Sequence, residues 1–185
     1  MAQSKFIQAV VKAAKGRPKS TAWYQDKIKE FGKPGAMDLI RDGKRNNNPF
    51  FGRLNMFFYD PKLKAKLPYY DTFPLVLPIE RYNDGFLGIN LHYLPMGLRI
   101  RLLDRLVDFT NNTKFDESTK IVADYSKLKN IKLIKPTLKR YLRGRVKTQF
   151  RRIDADEFTI ATLLPVQRFK KSTAKAVWSD SRSMV

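Results

Sequence analysis

Apolar and polar positions alternate most regularly between Phe73 and Pro95, FPLVLPIERYNDGFLGINLHYLP. Phe73–Ile79 is apolar and β-branched enough for a strand, and Phe86–Leu94 supplies its antiparallel partner across the turn-forming Asn83-Asp84-Gly85. In the second arm Leu87, Ile89, Leu91 and Tyr93 share one face, while Gly88, Asn90 and His92 share the other, the two-residue period of a strand with one buried side. Pro74 and Pro78 each lack a ladder donor, and their four-residue spacing puts both gaps on one backbone edge. The first arm is therefore expected as an edge strand or a pair of short strands. A hairpin cannot stand alone. Asn55–Tyr59 is assigned as a third strand, and Leu98–Phe109 as a helical cover, because Leu98, Leu102, Leu106 and Phe109 recur at helical spacing beside Leu103 and Val107. The expected fold is α+β: a small antiparallel sheet centred on the 73–94 hairpin, packed with amphipathic helices and carrying long basic arms.

Around this centre the pattern becomes helical or irregular. Phe6, Val10, Ala13 and Ala14 recur at helical spacing from Lys5 to Lys15, and Gly16-Arg17-Pro18 stops that short basic helix. A second helix, 22–31, carries Trp23, Lys27 and Phe31 four residues apart and ends at Gly32. The stretch 33–53, rich in Gly, Pro and Asn, reads as a long connection. Weaker helical patterns cover 117–128 and 156–163. Lys135–Arg152 is expected to be an amphipathic helix: at 100° per residue Leu138, Tyr141, Leu142, Val146, Phe150 and Ile153 form an apolar keel. Lys139, Arg143, Lys147 and Arg151 form a basic ridge beside it, with Arg140 alongside. Gly144 in its middle would cost about 1 kcal/mol relative to Ala. Three units follow: a basic assembly arm over 1–53, an α+β core over 54–169 that includes the basic helix, and a mobile basic tail over 170–185 anchored only by Val177 and Trp178.

Charge sharpens this division. The 185 residues hold 37 Lys plus Arg against 17 Asp plus Glu, a formal net charge of +20. Residues 1–66 carry a balance of +10 and residues 127–185 a balance of +12, whereas residues 67–126 stand at −2. Two basic flanks around a near-neutral centre suit a polyanion: nucleic acid, an acidic protein surface or anionic lipid. With no cysteine and one histidine, disulfides, thiolate chemistry and Cys- or His-rich metal sites are excluded. No apolar run is long enough to span a bilayer.

Candidate chemistry is sparse. His92, on the polar face of its strand, reads as a surface or interface histidine. Asp71, Glu80, Asp84 and His92 all come from the hairpin region but form no recognisable catalytic spacing, and GKPGAMDLIRDGK is not a phosphate loop. No catalytic residue, metal ligand or cofactor is assigned, and the chain is expected not to be an enzyme. Lys139, Arg140, Arg143, Lys147 and Arg151 are the candidate contacts to nucleic acid or to an acidic partner; a helical ridge would space four of them along a phosphate run. Aromatic residues for stacking on single strands are available in Phe57-Phe58-Tyr59 and Tyr69-Tyr70, although strands of this composition usually bury them. Phe6, Val10, Trp23 and Trp178 are the candidate docking residues for partner proteins.

The run YDPKLKAKLPYYDTFPLVLPIERYNDGFLGINLHYLP, residues 59–95, resembles a segment of small virion structural proteins of contractile-tailed, T4-like phages, a group that includes DNA-end-protector and head-completion proteins. The resemblance extends to FRRIDADEFTIATLLPVQRF, residues 150–169, and to the terminal VWSDSR. It implies a non-enzymatic virion component, made in the host cytoplasm and docked on other phage structural proteins in the neck, head-completion or baseplate region. Protection of the ends of packaged double-stranded DNA ranks second, and a ribosome-like RNA-binding role third. No functional residue is carried over from the family.

Overall fold

The computed structural model describes residues 36–108, 131–153 and 164–185, together with Trp23, Asp26, Glu30, Leu128 and Ile160. In chain order the elements are α1 (Ala36–Asp42), β1 (Arg45–Asn46), β2 (Leu54–Met56), β3 (Tyr70–Asp71), β4 (Leu75–Tyr82) and β5 (Gly85–Asn90). They continue with α2 (Met96–Asp108), β6 (Leu138–Leu142), β7 (Phe150–Ile153), β8 (Phe169–Lys170) and α3 (Ala174–Ser183). Six strands pair antiparallel in the order β1-β7-β2-β4-β5-β6, and β3 with β8 makes a separate two-stranded ribbon. An antiparallel sheet packed with helices is the expected α+β class.

The hairpin forms where the sequence places it, with Tyr82 opposite Gly85 across a two-residue turn, but β5 is buried on both faces rather than one, Gly88 and Asn90 included. The edge expectation for its first arm fails, because β4 lies inside the sheet between β2 and β5. Its prolines are accommodated locally. Pro74 precedes the strand, β2 reaches only Leu75 and Val76, and the β5 ladder shifts register between Pro78 and Glu80. The second arm is shorter than expected: after Asn90 the chain turns into a 3-10 helix, Leu91–Tyr93, capped by the Asn90 side chain accepting from His92 N–H. The strand period ends there, and Leu91, His92 and Tyr93 are all buried.

Both faces of the sheet are covered. One carries Leu54, Met56, Leu75, Leu77 and Ile89, packed against Leu102, Leu103 and Leu106 of α2 and Leu133 and Ile134 of a second 3-10 segment. The other carries an aromatic cluster of Phe57, Tyr59, Phe86, Tyr141 and Phe150, roofed by Phe50, Phe51 and Val146. Asn55, fully buried, fixes that roof: it accepts from Phe50 N–H at 2.9 Å and donates to the carbonyls of Phe50 and Arg53 at 2.9 and 2.7 Å.

The expected amphipathic helix over 135–152 does not exist. A 3-10 segment runs to Thr137, β6 and β7 follow, and the loop between them holds a single 3-10 turn, Arg143–Arg145. The keel residues satisfy both periods in part, and two sheet edges decide between them: β6 closes on β5 while β7 fills the space between β1 and β2. Nor is 33–53 only a connection. α1 lies within it, and the Arg151 guanidinium donates to the Ile40 carbonyl at 2.9 Å near the end of α1, where a cation meets unpaired carbonyls favourably. The tail also differs from expectation. Residues 174–183 are helical, capped by Thr173 accepting from Ala176 N–H, with Val177 fully buried. Lys171 Nζ latches the approach to α3 onto the carbonyls of Ala65 and Leu67. The helices expected over 5–15, 117–128 and 156–163 lie outside the described residues, Leu128 and Ile160 excepted; both are helical and buried.

Candidate nucleic-acid interface

Replacing the helix by two strands and a loop scatters the five candidate cations. β6 and β7 send alternate side chains to opposite faces. Lys139, opposite Gly88, falls on the aromatic side; it is half-buried, its ammonium 4.2 Å from the centre of the Tyr93 ring and 3.0 Å from the Pro136 carbonyl. Burial pulls its pKa down to about 8. Arg140 lies on the helical side, its guanidinium 3.7 Å from the Tyr82 ring centre and paired with Asp84 at the hairpin tip. Arg151 is occupied by the end of α1. Only Arg143 and Lys147 remain together and exposed, both in the loop 143–149.

That loop and Asn47 enclose an open groove of about 300 Å³, lined by Arg143, Val146, Lys147, Thr148, Gln149 and Phe150. The sequence places turn-compatible residues here, RGRVKTQ, and the fold ties them down at several points. Arg143 N–H donates to Asp84 O at 2.8 Å, Asp60 N–H to Arg145 O at 3.0 Å, and Lys147 N–H to Phe58 O at 2.8 Å. Phe58 N–H donates to Thr148 Oγ1 at 3.0 Å, and Gln149 Nε2 donates to Asn47 Oδ1 at 3.0 Å. Among the described residues no carboxylate lines the groove. Two cations with amide and hydroxyl groups in the same lining, on an anchored loop, suit a phosphate run: the cations supply attraction and the neutral groups supply hydrogen bonds that fix register. Among the described residues no group of three His, Asp or Glu is placed to hold a metal ion.

The hairpin's other ionisable residues have a different role. His92, expected on an exposed face, is buried and paired with the equally buried Asp71, Nδ1 to Oδ2 at 2.6 Å. His92 Nε2 faces the Leu164 carbonyl at 2.8 Å. Each ring nitrogen therefore has an oxygen partner within hydrogen-bond distance. Burial would raise the Asp71 carboxyl, but the neighbouring His92, aided by N–H groups of Phe73 and Arg168, outweighs it and holds the carboxyl below its usual range. Asn90 joins the pair to Tyr141, donating to the Tyr141 hydroxyl at 3.1 Å. Trp178, expected to dock on a partner, instead donates Nε1–H to the His92 carbonyl at 2.9 Å and so pins α3 to the core. Trp23 is helical and half-buried; Phe6 and Val10 lie outside the described residues. Sequence reasoning missed Asp71 as a structural residue and Phe58 as the exposed member of its aromatic run. Neither residue stands out by spacing alone; both depend on how distant strands meet.

Fold and groove together define a strongly basic α+β protein with a cation-lined, carboxylate-free loop on one end of its sheet. The family described as the Phage T4 terminal DNA protecting protein matches residues 4–181, nearly the whole chain, and the chain belongs to that family. No curated protein and no solved structure matches it significantly.

Proposed function

We propose that this chain binds the ends of linear phage DNA and shields them from exonucleases, as a non-enzymatic component of the particle made in the host cytoplasm. The observation that carries this reading is the family correspondence over residues 4–181, whose description is protection of terminal DNA. It favours the DNA-protecting alternative over docking in the neck, baseplate or head-completion region, for which the comparisons offer no support. The groove supplies a binding surface consistent with it: Arg143 and Lys147 are exposed and carry no ion pair among the described residues. Contact with acidic surfaces of other phage proteins belongs to the same reading, since +20 exceeds what one short groove uses.

The test is survival of a linear duplex exposed to an exonuclease that enters from ends. The intact protein is expected to preserve full-length DNA in a concentration-dependent way, and Arg143→Gln/Lys147→Gln to weaken that preservation while remaining folded. Digestion at the rate of naked DNA, with folded wild-type protein in excess, would overturn the reading.

A further inference from the structure

One aromatic residue faces solvent immediately beside the groove. Phe57 and Tyr59 are buried in the aromatic cluster, but Phe58 points the opposite way and remains 36% exposed. Its ring is not loose. It stacks on Phe73 with centroids 4.5 Å apart and planes 26° from parallel, and Phe73 is itself part of the core. The Arg168 guanidinium lies 5.3 Å from the Phe58 ring centre and 5.4 Å from that of Phe73. The Phe58 backbone makes two hydrogen bonds with the groove loop, accepting from Lys147 N–H and donating to Thr148 Oγ1. A rigid exposed ring, a third cation and the phosphate-suited groove are thus held in fixed relation.

We propose that Phe58 is the stacking platform for the terminal base of a DNA strand whose phosphates occupy the Arg143/Lys147 groove, with Arg168 beside the same base. This rests on the reading that the groove binds DNA, and adds to it a means of recognising an end. Bases inside a duplex are stacked on both faces and offer nothing to an aromatic ring; a terminal or unpaired base has a free face. Cations attract any phosphate run, but a ring beside them rewards only DNA that stops or opens there. Arg168, nearly equidistant from the two rings, lies alongside the stack and adds positive charge there without covering the outer face of Phe58.

The full-length protein distinguishes these contributions when titrated with short linear duplexes bearing a fluorescent adenine analogue, either at the terminal nucleotide or in the middle, and with a closed circular competitor. The terminal analogue is expected to change emission on binding and the internal one not. Phe58→Ala should lose on the order of tenfold of the preference for linear over circular DNA, with affinity for the circle unchanged; Phe58→Trp should retain the preference. Arg143→Gln/Lys147→Gln should weaken binding to both DNA forms equally. If folded Phe58→Ala keeps the full end preference, or the terminal analogue is silent with bound wild-type protein, the stacking proposal is wrong while DNA binding by the groove stands. Absence of any salt-sensitive DNA binding by the wild type overturns both.

Discussion

A carboxylate buried as deeply as Asp71 costs several kcal/mol to desolvate, and it stays ionised only because its oxygens are occupied by His92, Asn90 and the N–H groups of Phe73 and Arg168. Replacing the carboxylate by an amide removes that charge and disturbs a set of buried hydrogen bonds. Asp71→Asn is expected to lower unfolding free energy by about 3 kcal/mol at neutral pH, measured by urea denaturation. The sign of the pH dependence follows from the depressed carboxyl: its contribution is complete above the unfolded value near ~3.9 and is lost as pH falls through the lower folded value. The variant should lack that part of the acid limb; identical acid limbs would refute the depressed carboxyl. Lys139 gives a slope of the same sign in a higher window, but there it reflects a penalty on the charged form. With its folded pKa near about 8 and an unfolded value near ~10.4, the unfolded chain binds more protons between them, so this group makes stability rise with pH in that window. Subtracting the curve of Lys139→Met from that of the wild type should leave a positive slope there. A flat difference would show that the ammonium is better solvated than its place over Tyr93 implies.

At the scale of elements, two glycines separate the observed strands from the helix that the pattern of 135–152 suggests. A Cβ on Gly85 would come 1.9 Å from the Tyr141 carbonyl, backbone against backbone across the β5–β6 ladder, whereas one on Gly144 meets nothing within 4 Å. Gly85→Ala should therefore depress the thermal midpoint by several degrees, while Gly144→Ala leaves it nearly unchanged; a mid-helix glycine would instead give about 1 kcal/mol of gain on substitution. A marked stabilisation by Gly144→Ala would argue for the helix after all. The hairpin and α2 were legible because each repeats one period over a long stretch with turn residues at its ends. Residues 138–153 were not, because Leu138, Tyr141, Leu142, Val146 and Phe150 fit a helical face as well as two short strands, and the deciding partners, β5 and β2, lie far away in the chain. For the same reason Arg143 and Lys147 were legible as neighbouring exposed cations, but Lys139, Arg140 and Arg151 were grouped with them on a ridge that the fold does not contain. The centre of β4 shows the limit of the proline rule: a register shift and a short neighbour allow Pro78 in an interior strand.

For the whole molecule, +20 makes attraction to DNA certain in kind but unspecific in place, so the central claim is that the loop groove, not diffuse charge, carries the phosphate contacts. Four ridge cations would each have released a counterion, giving up to about 4 in logarithmic salt slope; the observed fold leaves two of them free to do so. It also places Lys139 and Arg151 in structural contacts, so changing all four to Gln should destabilise the protein as well as weaken binding. The most direct measurement is the salt dependence of affinity for a linear duplex, compared between wild type and the folded Arg143→Gln/Lys147→Gln variant. The account predicts a slope smaller by about 2 in the variant. An unchanged slope, with both proteins folded and bound, would contradict it.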